Sequence, residues 1–333
     1  MSLINTKKAF ITGITGQDGS YLAEFLLKKG YEVYGFVRRV ALEDERHRMG
    51  RILHILKDIE LLSGSMESYP SLYKAITHVK PDEVYHLASE SYVSYSFQDE
   101  FSTLQSNIIG THYLLSSVFD VVPEARFYFA ASSEMFGKAE DVPQNENTRF
   151  NPRSVYGISK VAGFDLSRNY RDAYNMFTCN GILYNHESPR RGFEFVTRKI
   201  TSHAAMIKLG IKDKLELGNL ESQRDWGHAK DYVRAMWLMQ QQKISDDYVI
   251  CSGKTNTVRE FCKKAFEFVG LNYQDYVVIN KKFYRPAELN ILTGDFSKAK
   301  IKLNWKPTVS FDQLIHQMVE SDLKYYSDKM QSK

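Results

Sequence analysis

Three side chains set the chemistry this chain could perform: a tyrosine, a lysine one helical turn later, and a carboxylate upstream of both. The pair is Tyr156 and Lys160, in Tyr156-Gly157-Ile158-Ser159-Lys160, and the carboxylate is Glu134, which follows Ser132 and Ser133. Residues at i and i+4 share one helix face. A lysine ammonium beside a phenol favours the ionised phenol by charge and hydrogen bonding. The combination makes a general base for a sugar or alcohol hydroxyl, as a dehydrogenase needs. The added carboxylate points to chemistry beyond hydride transfer. The residues alone leave Glu134 open between that role and a loop carboxylate in water or an N-cap partner. Taken alone, the Tyr/Lys spacing also suits a solvated amphipathic helix.

These groups need a scaffold to bring them together. Residues 8–12 read as a strand and 20–29 as a helix closed by Gly30. Further strands are expected at 32–37, 59–62, 83–87, 126–130 and 178–183, with helical patterns at 103–119 and 154–174. Strands alternating with helices predict an α/β fold built on a doubly wound parallel sheet. After His186 the pattern changes to helices at 197–209, 229–241, 258–269 and 311–326, with only short strands between. We expect residues 1–185 to form the first domain and 186–333 a smaller, mixed α/β substrate domain, with 247–251 a candidate strand returning to the main sheet.

The first strand runs into Gly13-Ile14-Thr15-Gly16-Gln17-Asp18-Gly19. Glycines there permit a tight turn and close backbone approach to a pyrophosphate, and the helix N-terminus supplies oriented N–H donors. The context of strand before and helix after favours a dinucleotide loop over an ordinary turn. The second strand ends at Arg38. An NAD site usually places an acid at that point, whereas arginine suits a 2′-phosphate, so NADP is expected, with NAD the alternative. A solvated strand end is the other reading of Arg38. Residues 43–51 mix acids and arginines and read as a solvated helix or loop. Leu87, Ala88 and Ser89 follow the fourth strand, and Ser132 to Glu134 the fifth. These places and the Tyr156/Lys160 helix converge at the carboxyl ends of parallel strands, where such sheets bind ligands. Together they read as a short-chain dehydrogenase active site.

Composition excludes other classes. The net charge of +4 carries no polybasic field for nucleic acid. The chain has no apolar run of membrane-spanning length and no apolar region at its N-terminus, so a cytoplasmic protein is expected. The three cysteines are odd in number and not in Cys-x-x-Cys spacing, so we expect neither a disulfide framework nor a zinc or other metal site.

Longer motifs sharpen this. They are Asn151-Pro152-Arg153-Ser154-Val155-Tyr156, Asn185-His186-Glu187-Ser188-Pro189-Arg190-Arg191-Gly192, Val196-Thr197-Arg198-Lys199, Arg224-Asp225-Trp226-Gly227 and Tyr284-Arg285-Pro286-Ala287-Glu288. With these, the chain resembles the GDP-mannose 4,6-dehydratases of the extended short-chain dehydrogenase superfamily over nearly its whole length. The resemblance implies a Rossmann-type fold and a lyase of deoxysugar biosynthesis. It also implies an internally redox-neutral reaction with NADP on a GDP-sugar, and a homodimer or homotetramer. It gives Tyr156 the hydroxyl proton at carbon 4, Glu134 the proton at carbon 5 and acid assistance at carbon 6, and Ser132 and Ser133 supporting hydroxyls. It gives Lys160 the tyrosine pKa and the nicotinamide ribose. Ser65, Met66, His186 and Arg191 match cofactor contacts. Glu90, Ser91, Asn185, Val196, Lys199, Gly218, Arg224, Arg285 and Glu288 match the nucleotide-sugar site; read from the residues alone, the basic ones are either forked donors for a diphosphate or surface charge.

The chain departs from the family pattern at Ser132 (usually Thr), at Glu90 (often Gln), at Gly64-Ser65-Met66, where an Asp is usual, and in the loop 40–47, where the family carries a Ser- and Asn-rich stretch. Glu90 raises an N-acetylated or seven-carbon GDP-sugar as an alternative substrate. A nucleotide-sugar 4-epimerase or 4-reductase, and a non-catalytic NADP-binding regulator, are the readings from other classes.

Overall fold

The computed structural model describes residues 6–44, 48–284 and 291–331. The chain opens with β1 (Lys8–Thr12), α1 (Gln17–Lys28), β2 (Glu32–Val37), the short α2 (Arg39–Glu43) and β3 (Ile59–Ser63). It continues through α3 (Tyr69–Val79), β4 (Glu83–His86), the short α4 (Glu100–Leu104), α5 (Gly110–Val121), β5 (Arg126–Ser132), α6 (Val155–Tyr174) and β6 (Thr178–Leu183). Then follow β7 (Asn185–Glu187), α7 (Val196–Lys208), β8 (Leu215–Leu217), β9 (Gln223–His228), α8 (Ala229–Gln240) and β10 (Asp247–Ile250). The chain ends with β11 (Thr255–Thr257), α9 (Val258–Phe268), β12 (Val277–Ile279), β13 (Ile291–Leu292), α10 (Ser297–Leu303) and α11 (Phe311–Gln331).

Seven strands form one sheet in the order β10-β6-β5-β4-β1-β2-β3. Every pairing in it is parallel. Its central strands are buried on both faces, the signature of a parallel sheet covered by helices. One face packs against α1, α8 and Trp305. The other packs against α3, α5 and α6. This is a Rossmann-type, doubly wound fold, and its strand order reverses between β1 and β4, the crevice where such sheets bind ligands. The segment expected at 247–251 does return to the main sheet, as β10 beside β6.

A third core gathers Ile200, Ala204, Leu215, Trp226, Phe261, Phe266, Ile315 and Met318 from α7, α9, α11 and the small strands. The small sheet is centred on β9, which pairs with β7, β11 and β13. β9 continues directly into α8, which packs back onto the main sheet, so the third core is stitched to the first by one uninterrupted stretch of chain. A buried ion pair fastens α7 to α11: Arg198 Nη2 lies 2.6 Å from Asp322 Oδ1, and Thr201 donates to the other carboxylate oxygen at 2.7 Å.

Candidate active site

The carboxyl ends of β1, β4, β5 and β6 open into a cavity of about 460 Å³. Gly13 follows β1 with φ +75, and a Cβ there would meet the Ala88 nitrogen at 2.8 Å. The phosphate loop and the Leu87-Ala88-Ser89 turn can therefore close on one another only through glycine. Gly16 is the N-cap of α1 and provides no side-chain cap, so the first-turn N–H groups stay open to an anion. Beneath the turn, Thr12 Oγ1 accepts the Leu87 and Ala88 N–H groups at 3.2 and 3.1 Å. His86 lies between the Thr12 and Thr111 hydroxyls, at 2.8 and 2.9 Å. Burial pushes its pKa down to about 3, so it serves as a neutral spacer.

The catalytic candidates meet on the floor of the cavity. Ser132 ends β5, and its hydroxyl accepts the Glu134 N–H at 3.2 Å and lies near enough to the Tyr156 phenol to favour its ionised form. Ser154 caps α6 through Gly157 N–H at 3.0 Å. A Cβ on Gly157 would stand 2.7 Å from the Glu134 carbonyl, so glycine lets the first turn of α6 ride against the turn that carries Glu134. Lys160 is 4% exposed and donates to the Ala130 carbonyl at 2.8 Å, with its ammonium 5.7 Å from the Tyr156 ring centre.

The electrostatics depart from the expectation that lysine simply ionises tyrosine. Burial pushes Tyr156 up to about 12; the Ser132 hydroxyl opposes this and the Glu134 charge adds to it. Burial brings Lys160 down to about 7. In this structure burial draws both groups toward their neutral forms.

The segment after β6 docks on the first turn of α1. His186 Nε2 lies 2.7 Å from Asp18 Oδ2, and its Nδ1 lies 2.7 Å from the Tyr184 carbonyl. Burial alone would lower His186 and raise Asp18; their attraction prevails, raising the histidine and lowering the acid. Gln17 donates to the His186 carbonyl at 3.0 Å and accepts the Ser188 hydroxyl at 2.7 Å. Arg191 pairs with the buried Glu187 at 3.0 Å and lies 3.6 Å over the Phe195 ring.

The cavity wall includes Gly13, Thr15, Gly16, Gln17, Asp18, Gly19, Arg38, Ser65, Met66, Leu87, Ala88, Ser89, His186 and Arg191 together with the five catalytic candidates. Glu90, Ser91 and Asn185 line it as well. Glu90 is held by Asn107, which accepts its N–H at 2.9 Å and donates to its carbonyl at 3.2 Å. Burial raises the Glu90 pKa and the charge of Arg38 partly offsets that.

Other expected substrate residues lie outside this wall. Lys199 sits 3.6 Å over the Phe283 ring, and a Cβ on Gly218 would meet the Phe283 carbonyl at 2.6 Å, so these two gather around Phe283. Val196 opens α7, and Arg224 is buried on β9, donating to the Gln223 carbonyl at 2.8 Å. Arg285 and Glu288 fall outside the described residues, as does part of the loop 40–47.

Sequence reasoning did not single out Tyr92, Phe195 or Asn107. Tyr92 and Phe195 line the cavity edge to face with ring centres 5.6 Å apart, joining the turn after β4 to the start of α7. Arg51 belongs to the stretch 43–51 whose mixed charges suggest a solvated segment, yet its side chain reaches the phosphate loop. No local pattern distinguishes these residues. Among the described residues no helix is long and apolar enough to cross a membrane, and no group of three or more His, Cys, Asp or Glu could hold a metal ion.

Comparison with known proteins agrees with this geometry. The family described as GDP-mannose 4,6 dehydratase matches residues 10–318. The chain is 49% identical to GDP-mannose 4,6 dehydratase 2 of Arabidopsis thaliana, covering 96% of this chain and 87% of that protein. It is 45% identical to the GDP-mannose 4,6 dehydratase of Homo sapiens, covering 95% and 91%. Its fold matches the dTDP-glucose 4,6-dehydratase of Bacillus anthracis in complex with NAD, with a TM-score of 0.83, 19% identity and coverage of 97% and 98%. With half of its length and more matched by the family, and relatives this similar, the chain belongs to the GDP-mannose 4,6-dehydratase family.

Proposed function

We propose that this chain converts GDP-mannose, or a close GDP-sugar, to the 4-keto-6-deoxy sugar. The observation that carries the reading is Glu134 and Ser132 set close to the Tyr156 phenol, with Lys160 behind. A 4-epimerase or 4-reductase needs no base at carbon 5; elimination of water does.

The residues fit a nicotinamide dinucleotide: a glycine-tight turn, open N–H groups at α1 and a wall that runs to Tyr156 and Lys160. We assign Gly13, Thr15, Gly16, Gln17, Asp18, Gly19, Arg38, Ser65, Met66, Leu87, Ala88, Ser89, His186 and Arg191 to holding it. When bound, the oxidised nicotinamide supplies a positive charge and a hydride acceptor that takes the hydride from carbon 4 and returns it to carbon 6. Arg38 supports NADP, because a guanidinium meets a 2′-phosphate with forked donors. Equal affinity for NAD would refute that preference.

Tyr156 takes the proton of the carbon 4 hydroxyl as the bond to its hydrogen breaks. The ketone then acidifies carbon 5, and Glu134 removes that proton. Glu134 returns it to the departing carbon 6 hydroxyl, assisted by Ser132 and Ser133, so that one water leaves. Once carbon 6 is reduced, carbon 5 takes up one proton, the equivalent of the one Tyr156 removed from the carbon 4 hydroxyl, so the tyrosine is released and the balance closes. Lys160 keeps its place beside the phenol through Ala130. Glu90, Ser91 and Asn185 face the sugar, and Val196, Lys199, Gly218, Arg224, Arg285 and Glu288 serve the nucleotide.

We further assign a second, substrate-binding domain from about residue 186, supported by its separate core. A homo-oligomer is supported by Phe101, 85% exposed on α4, and the exposed Ile158 on the adjoining α6. A reducing cytoplasm suits three buried, free thiols.

The test is incubation with GDP-mannose, GDP-N-acetylglucosamine and a GDP-manno-heptose, following carbon 6 by NMR and loss of water by mass spectrometry. Retention of the hydroxymethyl group under turnover would sink dehydration. Glu134→Gln is expected to lower elimination by about 100-fold or more while carbon 4 oxidation persists; an undiminished product yield removes Glu134 from its role.

A further inference from the structure

The phosphate loop is not held by its own turn alone. Met49 and Ile52 are buried in the core beside α1, and between them Arg51 is directed back toward the loop. Its Nε donates to the Arg190 carbonyl at 2.7 Å, and its Nη1 donates to the Thr15 carbonyl at 3.3 Å. Thr15 lies in the phosphate loop; Arg190 lies in the segment that docks on α1. Arg190 itself reaches α1, through Ser20 at 3.0 Å and through Glu24, with its guanidinium 4.1 Å over the Tyr21 ring. The planar guanidinium has its donors in a fixed fork, so gripping two carbonyls sets the distance between them. Burial lowers the Arg51 pKa, Glu194 draws it back, and Arg198, Arg190 and Arg191 oppose the added positive charge.

We propose that Arg51 is a positioning residue for the dinucleotide: by bridging Thr15 and Arg190 it fixes the phosphate loop against the docking segment in the geometry that binds the diphosphate. The proposal rests on the cofactor reading above. It predicts that cofactor affinity depends on a residue of the stretch after α2 that does not line the cavity.

NADPH is titrated into wild type, Arg51→Ala and Arg51→Lys, with dihydronicotinamide fluorescence as the readout, and kcat for GDP-mannose is measured at saturating NADP. If wild type binds neither NADPH nor NADH, the cofactor reading itself fails. If wild type binds, Arg51→Ala is expected to weaken NADPH about tenfold or more, the loss of a charge-assisted hydrogen bond. Its kcat at saturating cofactor and its unfolding midpoint should stay close to those of wild type. Arg51→Lys keeps the charge but cannot span both carbonyls, so it should recover only part of the affinity. Unchanged NADPH affinity in Arg51→Ala overturns the proposal, including where its stability falls. Full recovery by lysine overturns the bridging role and leaves only charge. Should Arg51→Ala not fold, Arg51→Gln, with neither the charge nor the fork, is read by the same affinity criterion.

Discussion

Replacing Lys160 with methionine should make the cofactor-free protein more stable near neutral pH while removing its catalytic base partner. Methionine keeps the length and apolar stem of lysine and removes the ammonium. The ammonium is buried, and its pKa falls from 10.5 to about 7 because burial disfavours the charged form. The sign follows from proton counting: between these values the unfolded chain binds the proton and the folded protein does not, so this group costs stability that is recovered as pH rises from 7 to 10.5. At pH 7 the cost is about 4 kcal/mol, and at pH 9.5 it is about 1 kcal/mol. Against this, the Ala130 carbonyl loses its 2.8 Å donor, a loss of about 1–3 kcal/mol. Lys160→Met should therefore gain about 1–3 kcal/mol at pH 7 and give the advantage up by pH 9.5. The raised Tyr156 is present in both proteins and cancels in the difference. Urea unfolding of both proteins at the two pH values measures this, with the midpoint and m compared. The reasoning fails if the stability difference does not change with pH, because the lysine then folds with its proton on. It also fails if the variant is several kcal/mol weaker at pH 7.

Two further substitutions test the scaffold. Asp322→Asn leaves the Arg198 guanidinium buried without its counter-charge, which should cost about 3 kcal/mol and lower the thermal midpoint by about 5 °C or more; an unchanged midpoint would show that the pair contributes nothing to joining α7 and α11. Gly13→Ala sets a Cβ 2.8 Å from the Ala88 nitrogen at φ +75, which should destabilise by about 1–3 kcal/mol and weaken NADPH binding; wild-type affinity in this variant would show that the turn can open at little cost.

What the sequence disclosed followed the range of the interactions involved. Strands at 8–12, 32–37 and 178–183 were readable to the residue, because each is a short segment with apolar residues set beside a helical pattern, even where Asn180 and Gly181 interrupt the run in the third. The expected helix at 103–119 is instead α4, a π-helical turn at Gln105–Ile109, and α5. That turn carries Asn107, which leaves the helical pattern to pin both backbone groups of Glu90, a tertiary demand that helix propensity cannot report. The helix expected from residue 20 begins at Gln17. Its glycines read as loop, but the segment after β6 holds its first turn through Gln17, Asp18 and Ser20. The strands around β9 are too short to show a pattern; their register rests on pairs such as Asn185 with Trp226, distant in the chain.

The site divides along the same line. Its local parts were legible: the glycine turn, the serines and acid after β5, and the Tyr/Lys pair on one helix face. The charge state of that pair was not, because spacing gives proximity while desolvation is decided by the whole fold. Lys160 and Tyr156 stand nearer their neutral forms because β5, α6 and the segment after β6 together exclude water from them. A neutral phenol is a poor base, so the same burial that costs stability also holds the chemistry back until positive charge arrives. The nicotinamide cation is that charge in the proposed reaction, and the low dielectric that raises the phenol also strengthens the cation's pull on it. Burial thus makes the tyrosine's basicity conditional on the cofactor, a coupling that a solvent-exposed Tyr-x-x-x-Lys pair could not achieve.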